Sequence, residues 1–252
     1  MAESASATFT PPPPSAWPRR FAVAIVAALL IGGLWWGWQS WTSGWMPDRA
    51  RWPTQGVAVG ADNAPVNWAG LASRGASFAY IDATDGAEAV SRNFTAEHDG
   101  AVAAGLRVGA IHRFDICALA SEQAAAFVRL VPREASALPP AVMLDFSTHC
   151  ERRPTKALLL TELTTFLTQV ETHMGKAAVV SPGADIEADY GVAEAVNRPL
   201  WLRSNRAEPA PEAGQWTIWQ ANDAALVAGS TGPTRWLVAN DGSGMVQTGG
   251  AQ

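Results

Sequence analysis

The chain has 252 residues, and its 23 Asp and Glu outnumber its 18 Lys and Arg, for a net charge of −5. That balance excludes a nucleic-acid-binding domain, which needs clustered positive charge; two cysteines exclude a disulfide-dense scaffold or a multi-cysteine zinc module. With 48% hydrophobic and 16% charged residues the chain is no disordered polyelectrolyte.

Residues 1–18 are Ala, Ser, Thr and Pro around Pro11-Pro12-Pro13-Pro14 and read as a disordered tail with polyproline II character. Arg19-Arg20 then precede an uncharged apolar run from Phe21 to Trp38. As a helix this run would reach roughly 27 Å, close to the hydrocarbon thickness of a bilayer. It has no polar face, so residues 19–41 are expected to form a transmembrane anchor, with membrane contact through 21–38. Arg19 and Arg20 favour a cytoplasmic N-terminus, and Trp35, Trp36, Trp38, Trp41 and Trp45 suit the opposite interface. The expected location is a bacterial inner membrane, single-pass, with everything after a 42–53 juxtamembrane linker outside the cytoplasm. A cleavable signal peptide is the rival; the usual small-residue cleavage site is not evident in Gly37-Trp38-Gln39-Ser40-Trp41. An exported domain permits a Cys117–Cys150 bridge, contributing about 3–4 kcal/mol in the chain-entropy model, whereas two separate buried thiols are the alternative.

The outer part is expected to fold over residues 54–240, followed by a flexible tail at 241–252. Strands are predicted at 57–59, 76–83, 106–111, 141–146, 177–181, 200–202, 216–220 and 236–238. Helices are predicted at 93–104, stopped by Gly105; at 121–131, opened by Ser121; and at 155–174, between Pro154 and Gly175. Strand and helix alternate and then give way to plain strands. This is an α/β chain with half or more of a parallel barrel, whose chemistry belongs at the C-terminal strand ends.

The segments Gly56-Val57-Ala58-Val59, Phe78 to Gly86, Ala104 to His112, Leu138 to Phe146 and Trp219-Gln220 together resemble glycoside hydrolase family 25, the muramidase-type lysozymes that cut peptidoglycan. The resemblance covers about Gln55 to Leu237 and implies a (β/α)5β3 modified barrel, here preceded by the transmembrane helix. It also implies peptidoglycan as partner, and Cys117 and Cys150 match a pair seen in membrane-anchored members. No metal or cofactor is expected.

The resemblance places carboxylates at four strand ends, and this sequence departs from all four. The first is Ala58, the Asp of the Asp-x-Glu motif is Met143, the catalytic Glu is Asp145, and the late Asp falls near Arg235. Glu to Asp withdraws the carboxyl by about 1 Å, a displacement that can cost ~100-fold in rate. Asp145 is the candidate general acid. Asp82 and Asp62, with Asp85 nearby, are candidates for a second carboxylate; solvated loop acids are the alternative. His112, Trp68, Trp201, Trp219 and Gln220 are candidates for sugar binding, with a barrel-wall role as the alternative for His112. Three functions follow: a muramidase of weak activity, a non-catalytic peptidoglycan- or partner-binding pseudoenzyme, or a scaffold that keeps only the fold.

Overall fold

The structure is a computed structural model that describes residues 17–147, 150, 153–210, 215–240, 242 and 244. The expected tails at 1–18 and 241–252 therefore lie almost wholly outside the described residues. The chain divides between Trp41 and Thr42 into two compact units. In the first, helix α1 (Trp17–Gly44) carries an apolar stretch, Arg20–Gly44, of mean hydropathy 1.9. From Arg20 to Trp41 its side chains are exposed all round, and by length and composition it could span a membrane or act as a signal anchor.

The second unit is a closed barrel. Its strands are β1 (Gln55–Val59), β2 (Phe78–Asp85), β4 (Arg107–Phe114), β5 (Ala141–Leu144), β6 (Val179–Pro182), β7 (Leu200–Arg203), β8 (Trp216–Ala225) and β9 (Thr234–Ala239); a two-residue β3 (Ala89–Val90) extends β2. Apart from the antiparallel β2–β3 hairpin, all neighbouring pairs from β1 to β8 are parallel, and β9 closes the ring antiparallel to both β8 and β1. The crossovers are α2 (Trp68–Ser73), α3 (Phe94–Ala103), α4 (Ala120–Leu130), α5 (Lys156–Met174), and the pair α6 (Ala184–Tyr190) and α7 (Val192–Val196). Five strand–helix units followed by three strands make the expected (β/α)5β3 order.

Local chemistry sets these elements. Thr155 caps α5 through Leu158 N (3.3 Å), and Gly175, at φ 70°, ends it in the left-handed conformation that glycine tolerates. Ser121 does not cap α4: the helix begins at Ala120, whose N–H donates to Glu162 Oε2 of α5 at 2.8 Å. A tertiary carboxylate has replaced the local hydroxyl. The short α2, α6 and α7 and the two-residue β3 carry too little periodic pattern to be read from sequence.

Two cores result from the two-residue alternation of strands. One lies between sheet and helices. The other fills the barrel interior with Ala58, Phe78, Tyr80, Ile111, Met143, Val179, Trp201, Ile218 and Leu237. Tyr80, fully buried, packs edge-on to Trp201 (5.2 Å) and donates to Pro139 O (3.1 Å). Its ring occupies the space that a side chain at Gly109 would need. Gly109→Ala should therefore destabilise the fold by about 1–3 kcal/mol, read by urea unfolding of the full chain in detergent.

Candidate active site at the barrel mouth

The parallel strands end at one mouth. Two residues beyond each interior residue, toward that mouth, every strand presents one further inward position. Around the barrel these are Gly60, Asp82, Arg113, Asp145, Ser181, Arg203, Gln220 and Arg235. The ring holds two carboxylates and three guanidinium groups.

Asp82 is clamped between two of them. Arg113 Nη2 donates to its Oδ2 and Arg235 Nη2 to its Oδ1, each at 2.7 Å. The Asp82 and Arg235 side chains are only 19% and 16% exposed, so this is a partly desolvated, charge-assisted network. The clamp explains Gly60, since a Cβ there would sit 2.8 Å from Asp82 Oδ2. Burial works against the Arg113 charge, but Asp82 beside it, with Asp85 and Asp145 beyond, outweighs burial and raises its pKa. Arg235 Nη1 also reaches Met143 Sδ at 3.3 Å. Across the mouth, Arg203 donates to Asp145 Oδ1 (2.7 Å), Ser181 Oγ (3.0 Å) and Ser181 O (3.1 Å).

A cleft of about 620 Å³ opens on the Asp82 side, lined by the turn after β1, the β2–β3 hairpin and the start of β9. Asp62, Asp82, Asp85, Arg113 and Arg235 face it; Asp145 does not line it.

The family model described as glycosyl hydrolases family 25 matches residues 59–230. The chain belongs to glycosyl hydrolase family 25. Solved structures agree with this. A family 25 glycosyl hydrolase from Bacillus anthracis is 25% identical, covering 81% of this chain and 96% of that chain at a TM-score of 0.71. A lysozyme from Streptomyces coelicolor is 24% identical, with coverages of 74% and 92% and a TM-score of 0.67. A muramidase from Acremonium alcalophilum is 21% identical, with coverages of 74% and 93% and a TM-score of 0.64. A search of curated proteins gives no match.

Within this family 25 barrel the sequence-derived residues fall in different places. Asp145, Asp82 and Gln220 stand in the mouth ring, and Asp62 is exposed on the rim of the cleft. Gln220 Oε1, buried, has no hydrogen-bond partner among the described residues. The other four do not reach the mouth. Trp68 is buried against α3, with Nε1 donating to Glu97 Oε2 at 2.8 Å. Trp201 lies inside the barrel below the ring, with no exposed surface. Trp219 faces outward and packs with Trp45, Trp52 and Trp216. Trp45 thus belongs to the barrel wall rather than to the expected interfacial tryptophan group. His112 also faces outward, stacked on Phe166 at 4.3 Å, because its inward neighbours are Ile111 and Arg113. Arg113 and Arg203 were not singled out by sequence reasoning. The signal for them is a basic residue two positions beyond an inward apolar residue at a strand's C-terminal end.

Cys117 and Cys150 are bridged, with Cα atoms 5.9 Å apart. Among the described residues, one group has metal-ligand spacing, Asp115 with these two cysteines, and their sulfurs are already bonded to each other. The bridge sits beside a buried polar network. Gln123 Nε2 donates to Asp115 O and Ala118 O, so its Oε1 accepts from Asp115 N and from His112 Nε2 at 3.0 Å. His112 Nδ1 then accepts from Thr84 Oγ1 at 2.8 Å.

Burial pushes the His112 pKa down from 6.5 to about 4, against a smaller opposing effect of its bond to Gln123. The unfolded chain binds a proton between those values that the folded chain does not. Stability from this group is therefore complete above pH 6.5 and lost as pH falls toward 4, by about 3 kcal/mol. Urea unfolding of wild type and His112→Gln at pH 7 and pH 4 should show the smaller acid-side loss in the variant. The two mouth carboxylates should differ too. Asp82→Asn strips two guanidinium groups of a partly buried partner and should cost on the order of 2 kcal/mol, below the ~3–5 of a fully buried pair. Asp145, at 47% side-chain exposure, should tolerate Asn within about 1 kcal/mol.

Proposed function

We propose that this chain is a cell-envelope family 25 protein directed at peptidoglycan whose hydrolysis is weak or lost. Glycoside cleavage requires one carboxyl to give a proton to the leaving oxygen and a second group to stabilise or trap the oxocarbenium-like centre. One observation carries the reading: each carboxylate of the mouth ring is ion-paired to arginine, Asp82 twice and Asp145 once. Arginine engages both side-chain oxygens of Asp82 and Oδ1 of Asp145, the atoms that a proton donor would turn toward a leaving group. Two positions where the family resemblance places further carboxylates carry Met143 and Arg235 instead, and these two contact each other. Asp82 and Asp62 line the cleft of about 620 Å³, and Asp145 is not among its lining residues.

Binding is a separate matter from cutting. The open cleft beside the ring and the charged side chains that line it offer hydrogen-bonding groups to a glycan without an acid catalyst. The apolar helix, Arg20 before its core and the disulfide support an inner-membrane anchor through residues 21–38, with a cytoplasmic N-terminus and the barrel outside the cytoplasm.

The test incubates the full chain in detergent with purified peptidoglycan and looks by mass spectrometry for new muramic-acid reducing ends. The expected result is turnover at least about 100-fold below that of an active family 25 lysozyme run in parallel, with the protein co-sedimenting on the polymer. Products that disappear in Asp145→Asn would establish a muramidase with a rebuilt site. Neither products nor co-sedimentation would leave only a scaffold.

A further inference from the structure

The cleft beside Asp82 differs from a surface built to hold sugar rings. A sugar ring lies naturally against an aromatic face, which buries its C–H surface and leaves its hydroxyls to hydrogen bond. Among the described residues no aromatic side chain lines this cleft. Trp68, Trp201 and Trp219 are buried elsewhere, and the ring of Phe146, next to Asp145, is covered by the Arg153 guanidinium at 3.7 Å. What the cleft offers instead is charge of both signs. Asp62 is exposed on its rim, and Arg113, although bonded to Asp82, keeps 41% of its side chain exposed. Covering such groups with a neutral ring would strip them of water with no opposite charge in return. A ligand that carries both an ammonium and a carboxylate would supply one to each.

The wall of the cleft adds backbone. β3 pairs with β2, Val90 opposite Thr84 and Ala89 opposite Asp85, and Ser91 N donates to Ala83 O at 2.8 Å. Hydrogen-bonded and non-hydrogen-bonded pairs alternate along an antiparallel ladder, so Ala83–Ser91 and Asp85–Ala89 are the bonded pairs and Thr84–Val90 lies between them. The N–H and C=O of Val90 therefore turn away from β2. Val90 is 46% exposed and lines the cleft, and no described strand pairs with the outer edge of β3. An extended peptide can add to such an edge through its main chain. We infer that this cleft takes an extended, charged peptide, with its backbone along Val90, an ammonium at Asp62 and a carboxylate at Arg113. Peptidoglycan carries such a peptide on its muramic acid. The inference thus rests on the peptidoglycan reading, and it names the part of the polymer that the site holds.

The test separates peptide from sugar. The full chain in detergent is titrated by calorimetry with soluble probes from one peptidoglycan: the disaccharide with its peptide, the disaccharide alone, and the peptide alone. The two peptide-bearing probes are expected to bind with similar Kd, and the disaccharide alone at least about tenfold more weakly. Asp62→Asn, at an exposed position, should weaken the peptide about threefold and leave the urea midpoint unchanged. Val90→Pro deletes the outward N–H on an edge strand, where proline is tolerated, and should weaken the peptide about fivefold. Val90→Ala keeps that N–H and should keep the binding. Disaccharide binding as tight as that of the peptide-bearing probe, or peptide binding untouched by both Asp62→Asn and Val90→Pro, would overturn the inference. Co-sedimentation with intact peptidoglycan while the peptide fails to bind would overturn it and leave the peptidoglycan reading standing. Failure of both would remove both.

Discussion

A closed eight-stranded barrel has one inward position per strand at its mouth, and the two-residue pleat fixes which residue takes it. Whatever the mouth does must be done by Gly60, Asp82, Arg113, Asp145, Ser181, Arg203, Gln220 and Arg235, with help from the loops above them. The positions are close enough to compete for space. Asp82 takes the room that a side chain at position 60 would need, and Asp145 Oδ1 stands 2.5 Å from where a Cβ of Gly183 would be. A change at one ring position is therefore a change in what its neighbours can be.

The charges follow the same logic. Ala58 and Met143 cannot answer a guanidinium, so Arg235 finds its anion in Asp82, and Arg113 joins from the other side. Arg203 divides itself between Asp145 and Ser181. In a partly dry mouth an unpaired charge is costly, and the pairing satisfies five charged groups at once. The same pairing leaves both carboxylates as acceptors. The mouth thus gains internal charge balance from its own side chains.

Much of this architecture was legible in the sequence, and the reason is periodicity. Long apolar strands and capped helices such as 155–174 carry repeated local signals, and the ordered segments from Gly56 to Gln220 fix the family. Side-chain direction was not legible to the same degree. His112 and Trp219 sit on correctly placed strands with the opposite phase, and Trp68 and Trp201 are core residues of the two cores. Phase can be lost at register shifts. One lies between Asp82 and Thr84, so Asp82 faces in while Thr84 faces out to His112. Another lies between Gln220 and Asn222. A bulge leaves no strong mark in a sequence without glycine at the site, so a residue beyond one cannot be assigned a face by counting.

Residues 42–55 run down the outer wall of β8, from Thr42 O, which accepts from Asn222 Nδ2 (2.8 Å), past Trp45 and Trp52 against Trp219, to Gln55 at the start of β1. This route follows from topology rather than from any one contact. Because β7, β8 and β9 follow one another without a helix among the described residues, and β9 runs antiparallel, no described crossover helix covers the outer face of β8 and β9. Trp219, Ala221 and Val238 would lie open to water there, and some other segment must cover them. The segment before β1 is at hand. Since β1 rises toward the mouth with the other parallel strands, it must begin at the closed end, and a segment that covers the wall lengthwise before reaching that point must start at the mouth. Mouth-side entry is thus the natural consequence of closing a parallel barrel with an antiparallel strand and covering the seam with the chain that precedes β1.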